Sequence, residues 1–175
     1  IYYPSSKLEI TNALTNVGIN VLSNQIAYPL GKKLALVGLA DFYDREFNPE
    51  VIMNQLDSTT PCIVLSHQPD TAEILKKWRV DLQLSGHSHG GQIVIPGLGP
   101  AMIYYTKIVK RIPKKIRRKL PFLRKTHSIL RHWQWSEGLH IVGNNQLYVN
   151  RGLGTYFPGR LFCPPEVTII TLEVS

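Results

Sequence analysis

Residues 80–92 read Val80-Asp81-Leu82-Gln83-Leu84-Ser85-Gly86-His87-Ser88-His89-Gly90-Gly91-Gln92, an apolar run that opens into a glycine-hinged loop carrying two imidazoles one residue apart. The run from Val80 to Leu84 predicts a buried strand, and the glycines after it let the backbone turn sharply and approach an ion. Neutral imidazoles at a strand end gain little from packing, and glycine weakens strands. The loop therefore reads as a metal-ligand arrangement. Upstream, Cys62-Ile63-Val64-Leu65-Ser66-His67-Gln68-Pro69-Asp70 repeats the layout: a strand ends in Ser-His and the chain turns at a proline. Alone, His67 reads as a hydrogen-bonded loop residue. Beside the pair it makes a third candidate ligand.

Outward from these segments the pattern alternates helix and strand, which predicts an α/β fold. Ser6 is placed to cap a helix over 7–17 that Gly18 ends, and a strand through Val21 and Leu22 follows. A strand is expected over 34–39. Asn48-Pro49 opens a short helix through Leu56, and Asp70 is placed to cap another through Trp78. Beyond the histidines, 93–95 predicts a short strand, 139–143 and 146–150 a hairpin turning at Asn144-Asn145, and 166–174 a last strand.

The 175 residues suffice for one ordinary domain, and 43% of them are hydrophobic. Cys62 and Cys163 give neither a disulfide framework nor cysteine-rich metal spacing. No apolar run approaches the ~20 residues that cross a bilayer, no stretch within these residues reads as a signal peptide, and any export signal is expected upstream. The net charge of +8 is unevenly spread. Residues 107–125 hold ten of the twenty Lys and Arg, and no acidic residue occurs between Asp81 and Glu137.

Within that basic stretch Tyr105, Ile108, Val109, Ile112, Ile116, Leu120 and Leu123 recur every three or four positions, an amphipathic pattern broken by Pro113 and Pro121. Two short helices with a kink are expected. A basic face beside an apolar one, with Trp133 and Trp135 nearby, suits an anionic membrane surface; a solvated charged loop is the plainer alternative. Nucleic acid is disfavoured, since no aromatic platform interleaves the charges. Arg117, Arg118 and Lys119 are the candidate substrate- or membrane-binding cations.

Leu-Ser-His-Gln-Pro-Asp at 65–70, Ser-Gly-His-Ser-His-Gly-Gly-Gln at 85–92, Asn-Arg-Gly-Leu-Gly-Thr at 150–155 and Pro-Pro-Glu-Val-Thr at 164–168 follow in this order. Together they resemble the C-terminal half of a calcineurin-like metallophosphoesterase of the bacterial membrane-associated subgroup. The resemblance covers nearly the whole chain apart from about 100–138. It implies the C-terminal half of a two-sheet β-sandwich flanked by helices, a four-layer fold, with residues 1–175 forming the C-terminal part of the domain and 100–138 a basic insertion. The family's Asp-x-His, Gly-Asp-x-x-Asp and Gly-Asn-His motifs do not occur here, so the resemblance places the start of this chain just past the catalytic histidine.

By the same resemblance His67 and His87 match ligands of one metal and His89 a ligand of another. Two divalent ions are expected, manganese first, zinc or iron as alternatives, and no catalytic residue is assigned within the chain. The function implied is hydrolysis of a phosphodiester or pyrophosphate bond in a lipid or nucleotide-lipid phosphate, such as UDP-2,3-diacylglucosamine of the lipid A pathway. The expected location is the cytoplasmic face of the inner membrane, peripherally bound, with any anchor upstream. A general cell-envelope phosphodiesterase and an inactive membrane-binding fragment stay open, and the fragment alone is expected to be inactive. Asn150, Arg151, Gly152 and Gly154 read either as a close backbone pass to the site or as an ordinary turn. Arg160 suits a phosphate or a surface carboxylate.

Overall fold

The computed structural model of the chain describes residues 4–120 and 130–173. In chain order the elements are α1 (Pro4–Asn16), β1 (Gln25–Ala27), β2 (Pro29–Lys32), β3 (Ala35–Gly38), α2 (Pro49–Met53), β4 (Cys62–Leu65), α3 (Ala72–Leu75) and β5 (Leu82–Ser85). They continue with β6 (Val94–Ile95), β7 (Gly99–Pro100), α4 (Ala101–Arg111), α5 (Lys114–Arg117), β8 (Gly138–Val142) and β9 (Asn145–Val149). Six strands form a mixed sheet in the order β1-β3-β4-β5-β9-β8. Neighbours among β3, β4, β5 and β9 pair parallel, while β1 and β8 close the edges antiparallel. A separate two-stranded ribbon joins β6 to β7.

Strand register assigns the two faces. Val37, Val64, Gln83 and Leu147 stand in one row across the sheet. That face is buried: Val37 and Val64 are fully covered, packed with Ile52 and Met53 of α2 and Leu75 of α3. Each such side chain contributes roughly 1.5–3 kcal/mol. Farther along, Leu147 and Val149 pack with Ala72, Val142 and Trp135.

The opposite face presents the row Gly38, Leu65, Leu84, Tyr148 and Leu139. It is equally apolar yet open, with Leu65 37%, Leu139 59% and Ile141 67% exposed. Parallel strands usually carry cover on both faces.

Several local expectations fail for physical reasons. Ser6 lies inside α1, which starts at Pro4. Val21 and Leu22 form no strand; Leu22 crosses over Gly38 of β3, where any Cβ would overlap its backbone, and the edge strand falls at β1 instead. Asp70 does not cap a long helix: a 3₁₀ turn at Pro69–Thr71 leads into the one-turn α3. Its buried carboxylate accepts the backbone N–H groups of Arg131 and His132 at 2.7 and 3.0 Å, pinning the segment that follows the basic element. The hairpin turns one residue earlier than expected, because Asn145 pairs with Val142. The Asn145 side chain accepts from Val80 N–H and donates to the Leu75 and Trp78 carbonyls, closing the end of the α3 segment. No strand forms among the described residues of 166–173, where Ile169 is 93% exposed and finds no ladder partner.

Candidate metal centre

The parallel strands deliver the histidines. β4 ends at Leu65 and β5 at Ser85, and because the two pair side by side their following loops emerge together at the sheet's carboxyl edge. Ligands in open parallel sheets bind at that edge. His67 Nε2 and His87 Nδ1 lie 3.2 Å apart, with the rings edge to face at 5.0 Å between centroids. Burial and the neighbouring His87 charge push His67 below the usual imidazole range, against an opposing pull from Asp41. The His67 ring is thus favoured as a neutral donor.

Below the loops a buried hydrogen-bond network ties the two strand ends. Gln83 Nε2 donates to Thr71 Oγ1 and to Ser85 Oγ, both at 2.9 Å. Ser85 Oγ donates to the Ser66 carbonyl at 2.6 Å, Ser66 Oγ meets Thr71 Oγ1 at 2.8 Å, and Thr71 Oγ1 donates to the Gln68 carbonyl at 2.7 Å. Each hydroxyl is satisfied, which a buried polar group requires. The network fixes Ser66, immediately before His67, and Ser85, two residues before His87. Sequence reasoning missed Ser66, Thr71, Gln83 and Ser85. The available signal was Gln83 itself, a polar side chain between two leucines in a run read as buried.

The loop is held in uncommon backbone geometry. His87, His89 and Gln92 have φ of 67°, 51° and 58°, in the left-handed region that non-glycine residues seldom enter. Gly90, at φ 64°, has no room for a side chain, since a Cβ there would stand 2.6 Å from Cys163 Sγ and 2.8 Å from Arg151 Cγ. Strain of this kind clusters at functional sites.

His89 makes its own contacts. Its Nδ1 meets the Gly154 carbonyl at 3.0 Å and its ring lies 5.0 Å from that of Tyr156. Burial lowers its pKa, an effect the Gly154 hydrogen bond opposes and the nearby Arg160 charge reinforces. Asn150 accepts the Gly152 N–H and donates to Thr168, while Arg151 pairs with Glu166 at 2.9 Å and Glu137 at 3.5 Å. Burial raises the Glu166 carboxyl, but hydrogen bonds from Tyr148, Thr168 and Arg151 outweigh it and hold the carboxyl at about 2. Arg160 meets no carboxylate among the described residues: its guanidinium is surrounded by backbone carbonyls.

These donors fit an ion in part. Two nitrogens bound at about 2.0–2.1 Å and separated by a near-tetrahedral or right angle lie about 3 Å apart, the spacing seen between His67 and His87. Among the described residues no set of three or more His, Cys, Asp or Glu is arranged to hold a metal. The buried Gln68 side chain, next to His67, also keeps an Oε1 with no partner.

The chain is similar to UDP-2,3-diacylglucosamine pyrophosphatase LpxG of Chlamydia muridarum, at 34% identity over 163 residues, 92% of this chain and 44% of that protein. It is 31% identical to phosphodiesterase YaeI of Escherichia coli over 93% of this chain and 51% of the relative. It is also 32% identical to the uncharacterized metallophosphoesterase YkuE of Bacillus subtilis, over 82% and 42% respectively. The chain belongs to the metallophosphoesterase family. It spans about half the length of the curated relatives it matches. Its mixed six-stranded sheet with flanking helices agrees with a metallophosphoesterase fold. No family model matches the chain. No solved structure matches it either.

The basic element of this metallophosphoesterase chain forms α4 and α5, broken at Ile112-Pro113 as the prolines predict. Val109 is buried, while Ile108, Ile116 and Leu120 are 59, 50 and 37% exposed among the cations. Arg118 and Lys119 are exposed and Arg117 is half-buried. The second break expected at Pro121, together with Leu123, Arg124, Lys125 and His127, lies outside the described residues. No described helix is long and apolar enough to cross a membrane.

Proposed function

We propose that this chain forms the C-terminal part of a metallophosphoesterase domain that hydrolyses a phosphodiester or pyrophosphate bond in a lipid-linked substrate, UDP-2,3-diacylglucosamine being the leading candidate. The observation that carries the reading is the contact of His67 with His87 at the carboxyl ends of adjacent parallel strands. In this reading His67 and His87 hold one divalent ion and His89 contributes to a second. Bound there, the ions supply Lewis acidity toward phosphate oxygens and an activated water. Imidazoles favour zinc over manganese, so manganese use depends on carboxylates that join the three histidines. The remainder of the domain packs on the open apolar face of the sheet, where Leu65, Leu139 and Ile141 wait for cover, and brings those carboxylates.

The substrate reading draws on the name of the LpxG relative and on the basic element. Arg117, Arg118 and Lys119, beside exposed Ile116 and Leu120, suit the headgroup layer of an anionic membrane, where each cation adds roughly 1 kcal/mol. That surface corresponds to peripheral binding at the cytoplasmic face of the inner membrane.

The test is an assay on a chain extended to the length of the relatives, with UDP-2,3-diacylglucosamine in mixed micelles and Mn²⁺. UMP release is expected, with a loss of at least about 100-fold in His67→Ala and in His87→Ala. Unchanged turnover in both variants contradicts the site, and absence of UMP alongside hydrolysis of other phosphodiesters contradicts the substrate.

A further inference from the structure

Arg160 is the most fully engaged side chain near the histidine loop. Its Nε donates to the Gly154 carbonyl at 3.2 Å, Nη1 to those of His89 and Cys163 at 3.1 and 3.4 Å, and Nη2 to those of Arg151, Gly152 and Gly154 at 2.8, 3.0 and 2.6 Å. A guanidinium has five N–H donors and no acceptor, so this ring of five carbonyls leaves none for a phosphate. One of the five is shared: the Gly154 oxygen also meets His89 Nδ1 at 3.0 Å. A carbonyl only accepts, so His89 carries its proton on Nδ1 and keeps the lone pair on Nε2. Arg160 additionally grips the backbone of His89 itself.

We propose that Arg160 is a positioning residue that fixes the tautomer and orientation of His89 by holding the Gly154 carbonyl against it. Metal-bound histidines characteristically donate their second ring N–H to a backbone carbonyl or carboxylate, and loss of such a partner weakens metal binding 10–100-fold. The consequence for metal binding rests on the proposed metal reading of His89; the tautomer itself does not. Arg160 acts through the backbone, so lysine, with donors clustered at one point, does not substitute. The plainer role, stitching the 151–163 loop to the fold, predicts lower stability and nothing specific at His89.

The experiment is a long-range ¹H–¹⁵N spectrum of the metal-free 175-residue chain near pH 8, where neutral imidazoles report their tautomers. His89 is expected as the Nδ1–H form. His140, whose Nε2 meets the Glu137 carbonyl at 2.8 Å, gives the opposite form as an internal reference. Arg160→Lys should turn His89 into a mixture and leave His140 unchanged; in a chain of the relatives' length it should also lower affinity for the ion that His89 helps to hold about 10-fold or more. Asn145→Ala, which destabilises the opposite end of β9, should leave His89 as it was. An Nε2–H form or a mixture at His89 in the unaltered chain overturns the proposal without any variant. So does an Arg160→Lys chain that melts earlier with His89 unmoved. A tautomer released by Arg160→Lys with no loss of metal affinity in the longer chain supports the positioning role and overturns the metal reading of His89 instead.

Discussion

Glu166 shows how the strand end behind the histidine loop is held. Its carboxylate takes the Arg151 side chain, the Arg151 backbone N–H and the hydroxyls of Tyr148 and Thr168, with its side chain 16% exposed. Its folded pKa of about 2 lies below the ordinary 4.5, so the ionised form favours folding. This contribution is fully present above about pH 4.5 and is lost as pH falls through about 2. Glu166→Gln is therefore expected to cost about 1–3 kcal/mol at neutral pH, with the gap to the parent chain closing between about pH 5 and 2. Urea denaturation across that range checks it; a gap that widens on acidification contradicts the assignment.

Among the elements, the strands that deliver the histidines were legible because their signal is local: apolar runs of four or five residues stopped by Ser-His or Ser-Gly-His. The prolines likewise announced the break between α4 and α5. What could not be read depends on partners distant in sequence. Asp70 looks like a helix cap because its neighbours resemble a first turn, yet it serves backbone 61 residues away. Residues 166–173 alternate like a strand but find no ladder among the described residues. Leu22 has strand character and is used to cover Gly38. The meeting of His67 with His87 was legible from residue type at two strand ends, whereas Arg160's carbonyl ring had no sequence signature beyond a lone arginine after a glycine. The basic element makes its own prediction. In a chain of the relatives' length, changing Arg117, Arg118 and Lys119 together to Gln should weaken binding to anionic vesicles several-fold in low salt and spare hydrolysis of a small soluble phosphodiester. The binding itself should fade with added salt, as the Debye length shrinks from ~10 Å at 0.1 M. Sedimentation with phosphatidylglycerol vesicles is the measurement, and undiminished binding by the triple variant removes the membrane role of α4 and α5.

At the scale of the molecule, two features belong together. The sheet is covered by α2 and α3 on one face and open on the other, and the histidines stand at its carboxyl edge with only part of a metal's donor set. In the proposed reading both have one explanation, a domain whose remaining layers complete the core and the site at once. The central claim is that His67 and His87 bind one ion between them, and it is testable without that remainder. Zn²⁺ titrated into the 175-residue chain, followed through the histidine ring resonances, should move His67 and His87 together and saturate at one ion for the pair. His67→Ala should abolish the shift at His87. Ring resonances of His67 and His87 that stay in place while His132 or His140 responds, or a His87 shift that survives His67→Ala unchanged, would contradict the account.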